Sequence, residues 1–153
     1  MQNKQLFLVT LLVAGCFTRL TAQDHTADII NTTLSKMNTI KRDYRVIEKT
    51  VGDVLFQNDT SADNRIFSYG FSSSKRYHLN AFAPSTDISS IAIAIYMYDS
   101  NNKLQLVTRN ETPGTDVTLN FDPRETKTYY LIVSGSLRQN IQSSFFNLII
   151  DRD

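Results

Sequence analysis

The chain has 153 residues, a formal net charge of +1, one cysteine, two histidines and no tryptophan. A chain of this length is typical of a single domain whose core is large enough to fold without disulfide bonds. The near-neutral charge excludes a general attraction to nucleic acid or to an anionic membrane. A single cysteine excludes an internal disulfide bond and a cysteine-based zinc site.

Residues 1–22 have the pattern of a secretory signal peptide. Lys4 is the only charged residue before an apolar block at residues 6–17, and Ala22 ends the short polar stretch that follows. The block is shorter than the roughly 18 residues that a membrane-spanning helix requires. We therefore expect cleavage after Ala22 and export of the mature chain. Loss of Lys4 and Arg19 leaves 14 basic and 15 acidic residues, so the mature net charge is about −1.

Residues 13–16 read VAGC and are similar to the lipobox of bacterial lipoproteins, in which the cysteine is lipidated and becomes the N-terminus. The alternative is that Cys16 is removed with the signal peptide. Lipidation of Cys16 would provide the only membrane attachment that the sequence suggests. Either outcome predicts an exported protein that is periplasmic, associated with the outer membrane, or secreted.

Residues 23–50 are predicted to form an N-terminal segment that contains one amphipathic helix, starting near Ala27. Thr26 suits the N-cap, Asp28 suits the first turn, and Gly52 is a suitable stop. The apolar residues of this segment recur at helical spacing. They are Ile30, Leu34, Met37, Ile40, Tyr44 and Ile47. The opposite face is basic, with Lys36, Lys41, Arg42, Arg45 and Lys49. We interpret it as a solvated helix face, because the total charge is near neutral.

From residue 51 onward the apolar period changes from 3.6 to 2, and short β-branched and aromatic runs alternate with turn residues. No helical pattern separates these runs, so parallel crossover units are not expected. The sequence predicts a mainly β domain over residues 51–153, an antiparallel, jelly-roll-like β-sandwich of seven or eight strands. The predicted strands are residues 53–57, 65–71, 76–83, 89–98, 104–109, 117–121, 128–135 and 145–151.

The run at residues 89–98, SSIAIAIYMY, is apolar on both faces and is predicted to be a central strand. One face is predicted to point to the opposite sheet; it consists of Ile91, Ile93, Ile95 and Met97. The other face is predicted to lie beneath the N-terminal helix, which needs an apolar surface on which to dock. It consists of Ala92, Ala94, Tyr96 and Tyr98.

Three stretches carry a resemblance to a known family: IAIYMYDSNNKLQLVTRN, VTLNFDPRETKTYYLIVSG and FFNLIID. In this order they resemble the bacterial pre-peptidase C-terminal domain, and weaker similarity extends over residues 51–153. The resemblance implies a jelly-roll-like sandwich of the kind usually appended to secreted peptidases. Two positions differ from the family pattern. The central strand lacks the Asp-Leu-Asp that some members use for calcium, and Lys127 replaces a glycine before the Tyr-Tyr pair.

The sequence predicts no catalytic residue, and we expect that the protein is not an enzyme. His25 and His78 are far apart in the chain, and His78 lies in a predicted strand without a nucleophile that the sequence places beside it. No hydrolase, zinc-protease, phosphate-loop or dinucleotide motif is present. No cofactor is expected, with calcium as the one alternative. The weak calcium candidates are Asp59, Asp63 and Asp99, which also have the residue types of ordinary turns.

Two roles remain open for the mature domain. The leading hypothesis is a non-enzymatic accessory or interaction module of a bacterial envelope or extracellular system, with a protein partner. The alternative is a carbohydrate- or calcium-binding module. For carbohydrate, Tyr96 and Tyr98 are the ligand candidates, because they stand about 6.5–7 Å apart on one strand face. No nucleic-acid partner is expected.

Overall fold

The computed structural model describes residues 27, 29–43, 45–57 and 63–153. Within these residues it has one helix, α1, over residues 29–42, followed by eight strands. The strands are β1 (Val46–Phe56), β2 (Asp63–Phe71), β3 (Tyr77–Phe82), β4 (Ile88–Tyr98), β5 (Leu104–Arg109), β6 (Asp116–Phe121), β7 (Lys127–Leu137) and β8 (Ser143–Arg152). The predicted signal peptide, Cys16, His25, Thr26, Asp28, Tyr44 and Asp59 lie outside the described residues.

The strands form two four-stranded sheets, which we name sheet I and sheet II. Sheet I has the order β1-β8-β3-β6, and sheet II has the order β2-β7-β4-β5. All pairs of neighbouring strands are antiparallel. The predicted antiparallel β-sandwich is therefore confirmed. Among the described residues, no helix is long and apolar enough to cross a membrane.

The main core lies between the two sheets and is built by alternation along each strand. Alternate apolar residues of β2, β3, β4, β6, β7 and β8 belong to this core, and for β4 they are the predicted Ile91, Ile93, Ile95 and Met97. At one end Phe71 contacts the rings of Tyr77, Phe121 and Tyr129, with centroids 4.7, 5.1 and 5.8 Å apart and near-perpendicular planes. Burial of such a side chain contributes about 1.5–3 kcal/mol, and each edge-to-face ring pair adds about 0.5–1.5 kcal/mol.

The helix ends earlier than predicted. It stops at residue 42, and residues 46–50 begin β1 instead of continuing α1. Pairing with β8 explains the difference, since the ladder gives this backbone hydrogen-bond partners from Val46 opposite Arg152 onward. Gly52 is not a helix stop. It lies within β1, where a Cβ atom would stand 2.4 Å from Cζ of Phe145.

α1 packs on the outer face of sheet I, so the prediction that it covers Ala92, Ala94, Tyr96 and Tyr98 is wrong. Ile40 of α1 is buried in a second apolar cluster with Phe82 and Ile149, and Met37 and Ile47 pack against this cluster. Thr33 also accepts a hydrogen bond from the Asn147 amide at 3.0 Å, and Lys36 forms an ion pair with Asp116.

The chain connection explains why the helix lies on this sheet. Three residues, 43–45, separate α1 from β1, and β1 is an edge strand of sheet I. From the Cα atom of residue 42 to that of residue 46 such a link reaches about 15 Å at most, whereas a helix on the outer face of sheet II would lie a sheet spacing and a helix layer away. The link is too short to carry the helix past a second sheet, which stacks about 10 Å from the first.

Candidate functional site

The outer face of sheet II, which we name the open face, has no described helix packed on it. The strand register places its side chains in rows across the sheet. One row is Ile66, Ile132, Ala94 and Arg109, and the next is Ser68, Tyr130, Tyr96 and Leu106. Tyr98 and Leu104 follow as neighbours in the row after that. On the side of the Ile66 row that faces away from the tyrosines, the next row contains Asn64, Ser134 and Ala92.

Five of these residues form a contiguous group at one end of the open face, which we name the tyrosine–leucine patch. Its members are Tyr96, Tyr98, Tyr130, Leu104 and Leu106. Tyr98 retains 45% of its accessible surface, Leu104 44% and Leu106 48%. Beyond the patch, Ile66 is 67% exposed. Large exposed apolar side chains in one contiguous area are a mark of an interaction surface.

The tyrosine rings of the patch are arranged across two strands, β4 and β7. Tyr98 contacts Tyr130 of β7, with ring centroids 5.2 Å apart and planes at 83°. Tyr96 lies directly opposite Tyr130 in the register. The Tyr98 and Tyr130 rings are therefore perpendicular and do not form one flat platform. Tyr130 was not among the residues predicted for this site, although its alternation with Tyr129 would have placed it on the outer face.

The open face is almost free of charge. Of the residues that the register places on it, Arg109 at the β5 edge is the one charged side chain. The remaining polar residues are hydroxyl and amide side chains such as Ser68, Ser134 and Asn64. Such a face suits a neutral partner, because it offers apolar area and hydrogen-bonding groups without a net field.

The two leucines of β5 lie on the outer face of sheet II and not in the core. Leu104 and Leu106 alternate along β5, but they are exposed, unlike the alternating apolar residues that form the core in the other strands. The register explains this, since Leu104 pairs with Tyr98 and Leu106 with Tyr96 on the outer face. The inward side chain between them is Gln105, which pairs with Met97.

Sheet I carries a polar cluster on its outer face. Asp151 is fully buried, accepts a hydrogen bond from the Asn80 amide at 2.7 Å and forms an ion pair with Arg45 at 3.0 Å. Thr118 donates to Asn80 at 2.9 Å. Burial raises the pKa of Asp151, and the positive charge of Arg45 opposes that rise. These contacts connect the chain beyond α1 to β8. Within the described residues, Oδ1 of Asp151 has no hydrogen bond and is matched by the charge of Arg45.

His78 lies at the rim of this cluster. Its ring nitrogens are 2.9 Å from the side-chain oxygen of Asn120 and 3.0 Å from Oδ1 of Asp153. The hydrogen bond from His78 lowers the pKa of Asp153. An amide and a carboxylate orient the ring, but neither has a hydroxyl or thiol that a base could activate for nucleophilic attack.

Asp99 has a turn role in the structure. Its Oδ1 accepts hydrogen bonds from the backbone N–H groups of Asn101 and Lys103, both at 2.9 Å, and its Oδ2 accepts one from Gln105 at 3.2 Å. The Lys103 bond is the main cause that lowers the pKa of Asp99. Asp63 begins β2, and nothing is described of its side chain. Within the described residues, no group of three or more His, Cys, Asp or Glu side chains is gathered as a metal site would require.

A cleft of about 520 Å³ opens between β5 and β6, where the edges of the two sheets face each other. We name it the edge cleft. Its lining includes the apolar side chains of Met97, Phe121 and Tyr129, and Arg124 with Glu125 from the turn before β7. The volume lies within the range of ligand pockets, roughly 300–1,000 Å³. The sequence analysis did not predict this cleft, because its two walls come from different sheets.

No protein-family model matches the sequence, and neither does any curated protein. Solved structures are similar in fold. The pre-peptidase C-terminal domain of a collagenase from Bacillus anthracis is 14% identical, and the match covers 67% of this chain and 87% of that chain with a TM-score of 0.48. The mitogen derived from Yersinia pseudotuberculosis is 8% identical over 67% of this chain and 84% of that chain, also with a TM-score of 0.48. The collagenase domain bears the name of the family that the sequence motifs resemble.

Proposed function

We propose that the chain is an exported, non-enzymatic interaction module of a bacterial envelope or extracellular system, and that it binds a protein partner through the open face. The observation that carries the proposal is the tyrosine–leucine patch, with its exposed Tyr98, Leu104 and Leu106 on a nearly uncharged sheet. Tyrosine is among the side chains enriched at the centres of protein interfaces, and the exposed leucines add apolar area to the same contiguous patch.

Two further features support this role. The signal-like residues 1–22 support export, with Cys16 as a candidate lipid anchor. The partners of His78 support a non-catalytic domain, since they hold the ring without supplying a nucleophile. The protein would then act through its surface, as accessory domains of secreted systems do.

The test is copurification from the native envelope fraction under mild conditions, with mass spectrometry of the partner and of the mature N-terminus. The double variant Tyr98→Ser/Leu104→Ser should lose the partner, because it removes two of the three most exposed apolar side chains of the patch. The matched control is Lys41→Ser/Arg42→Ser on the exposed side of α1, which should retain it. Retention of the partner by the Tyr98→Ser/Leu104→Ser variant would contradict the proposal.

Carbohydrate is the second candidate ligand, and the hydroxyl groups beside the tyrosines favour it. Ser68 shares a row with Tyr130 and Tyr96, and Ser134 lies two rows away on the same face. A sugar stacks on an aromatic ring while its hydroxyls bond to such groups. Glycan-array binding that is lost in Tyr96→Ala and Tyr98→Ala would support this function, and a flat array would exclude it. A rise in melting temperature on adding calcium would test the calcium alternative in the same samples.

A further inference from the structure

β5 is an exposed edge strand with an apolar middle. Within the described residues it pairs with β4 alone, and five of its six residues are exposed. Leu104, Leu106 and Val107 retain 44, 48 and 39% of their accessible surface. An edge strand of this kind offers unpaired backbone groups as a template for another strand, and most proteins protect such edges.

The hairpin geometry indicates which backbone groups of β5 are available. The N–H of Asp99 bonds to the carbonyl of Lys103 at 2.9 Å, and the N–H of Asn110 bonds to the carbonyl of Ile93 at 3.0 Å. Backbone bonding alternates along an antiparallel pair. Counted from Asp99, Tyr98–Leu104 and Tyr96–Leu106 are the pairs without backbone hydrogen bonds. Counted from Asn110, the same pairs follow once the bulge at Val107 is passed. Leu104 and Leu106 therefore direct their N–H and C=O groups away from β4, toward the open edge.

Each of the other described edges has a contact with another part of the chain. On the opposite side Arg65 of β2 donates to the carbonyl of Val54 in β1 at 2.6 Å. Beyond the end of β5, Gly114 exchanges two backbone hydrogen bonds with Ile91 and so covers the rest of the β4 edge. At the start of β6, Asp116 is held by Lys36 of α1. β5 has no comparable cover within the described part of the chain.

The edge cleft lies directly beside β5. A strand that pairs with β5 would direct alternate side chains into this cleft, above Met97, Phe121 and Tyr129. Its other side chains would extend the open face beside Leu104 and Leu106. Both faces of the added strand would therefore meet apolar surface.

Charge indicates what the ends of the added strand should carry. Lys103 and Arg109 flank the apolar middle of β5, and Arg124 lines the edge cleft; none of the three has an ion pair within the described residues. The two carboxylates that line the cleft are already paired, Asp122 with Arg76 at 3.1 Å and Glu125 with Lys127 at 2.7 Å. The unmatched charge around the edge is therefore positive, and it complements acidic residues.

We propose that β5 is a strand-addition site for an extended segment of a partner protein, a segment with alternating apolar side chains and acidic residues at its ends. This rests on the proposed function, for which it specifies how the partner binds. A second copy of the chain fits less well, because antiparallel pairing of two β5 strands would bring Lys103 near Arg109 of the other copy.

The probe is a peptide selected from a random 12-residue phage library against the full mature chain. We expect selected peptides to alternate apolar residues between acidic ends. In the complex, amide hydrogen exchange at Leu104 and Leu106 should slow by at least about tenfold, because these amides gain hydrogen bonds. Peptides without alternation, or a bound peptide that leaves both amides unprotected, would overturn the proposal.

Two substitutions at one position separate backbone pairing from side-chain contact. Leu106→Pro removes an edge N–H that does not pair with β4, whereas Leu106→Ala shortens the same side chain and keeps the N–H. The proline variant should bind the peptide at least about tenfold more weakly than the alanine variant, with both checked for folding by thermal melting. Equal affinities would overturn strand addition. If Leu106→Pro does not fold, Leu104→Pro at the first position of β5 replaces it.

The native partner distinguishes this inference from the proposed function. Loss of the partner in Tyr98→Ser/Leu104→Ser together with retention in Leu106→Pro would overturn strand addition and leave the interaction role standing. Retention in both variants would overturn both. Dimerisation of the wild-type chain without peptide, abolished by Leu106→Pro, would show that a second copy occupies the edge and would overturn the proposed partner.

Discussion

The outer faces of the two sheets have opposite characters. Sheet I is covered by α1, and beneath the helix lie an apolar cluster around Ile40 and Phe82 and a fully buried Asp151. The open face of sheet II has no described cover and leaves Tyr98 and Leu106 nearly half exposed. The described helix covers one face only, and the second apolar face is the one through which we propose that a partner binds. Comparison of matched substitutions on the two faces measures this difference.

The largest difference is expected for apolar side chains. Phe82→Ala removes a buried ring from beneath α1 and should lower the free energy of unfolding by about 3–5 kcal/mol. Ile66→Ala on the open face should change it by no more than about 0.5 kcal/mol, because this side chain is largely exposed. Urea unfolding of both variants provides the measurement. Equal effects would mean that the two faces are covered to the same extent.

The ion pair beneath the helix should give the next largest effect. Arg45→Leu removes the charge beside buried Asp151 and should cost about 2 kcal/mol near pH 7, less than a fully buried pair because Arg45 is partly exposed. Burial already raises the pKa of Asp151, and the loss of Arg45 raises it further. A carboxyl whose pKa is raised by folding destabilises the folded state at pH values above its unfolded pKa. The deficit should therefore shrink as the pH falls through the raised pKa of Asp151 and should be largely gone below the unfolded pKa of about 4.

Urea unfolding of Arg45→Leu at pH 7 and at pH 3.5 tests this sign. Arg42→Leu on the exposed side of α1 is the control, and its effect should be small at both values. A deficit of Arg45→Leu that grows on acidification would be inconsistent with a buried Asp151 carboxylate.

Two of the three glycines that lie in described strands, Gly52 and Gly70, provide a smaller contrast. A Cβ at Gly52, on the outer face of sheet I, meets the ring of half-buried Phe145, so Gly52→Ala should cost about 1 kcal/mol as the ring moves aside. A Cβ at Gly70, on the open face, meets nothing within 4 Å. Gly70→Ala should therefore be neutral or stabilise by about 0.5 kcal/mol. Thermal melting ranks the two; a destabilising Gly70→Ala would indicate that something covers the open face.

The smallest expected effect concerns the β4–β5 turn, which leads into the open face. Hydrogen bonds from backbone N–H groups lower the pKa of Asp99, so their contribution is present above the ordinary pKa of aspartate and is lost as the pH falls through the lowered value. After correction for the intrinsic pH dependence of amide exchange, the protection of the Asn101 and Lys103 amides should therefore fall on acidification. In Asp99→Ala the same two amides should lack this protection at all pH values. Protection that persists in the variant and does not change with pH would exclude the carboxylate as the acceptor.

Alternation along the strands made most of the sandwich predictable. Ile91, Ile93 and Ile95 occupy the core as predicted, because a period of two specifies which side chains share a face. The same pattern does not say which apolar face is covered. Both Ile149 and Tyr96 lie on outer faces, and only the short link between α1 and β1 determines that the helix reaches the former.

The candidate site was predictable in part for a related reason. Tyr96 and Tyr98 were recognised because they lie on one strand, whereas Tyr130, Leu104 and Leu106 join them through strand pairing across the sheet. Local sequence patterns do not predict the pairing of β4 with β7, because these strands are far apart in the sequence. The edge cleft depends even more on tertiary structure, since its walls belong to two sheets.

The pairing of β1 with β8 has a consequence for the timing of folding. β8 lies between β1 and β3, so sheet I has no continuous ladder until residues 143–152 have been synthesised. Contacts so distant in sequence form late and slowly. For the export that we propose, such a delay would be useful, because the nascent polypeptide would stay unfolded and competent for translocation until its final strand is available.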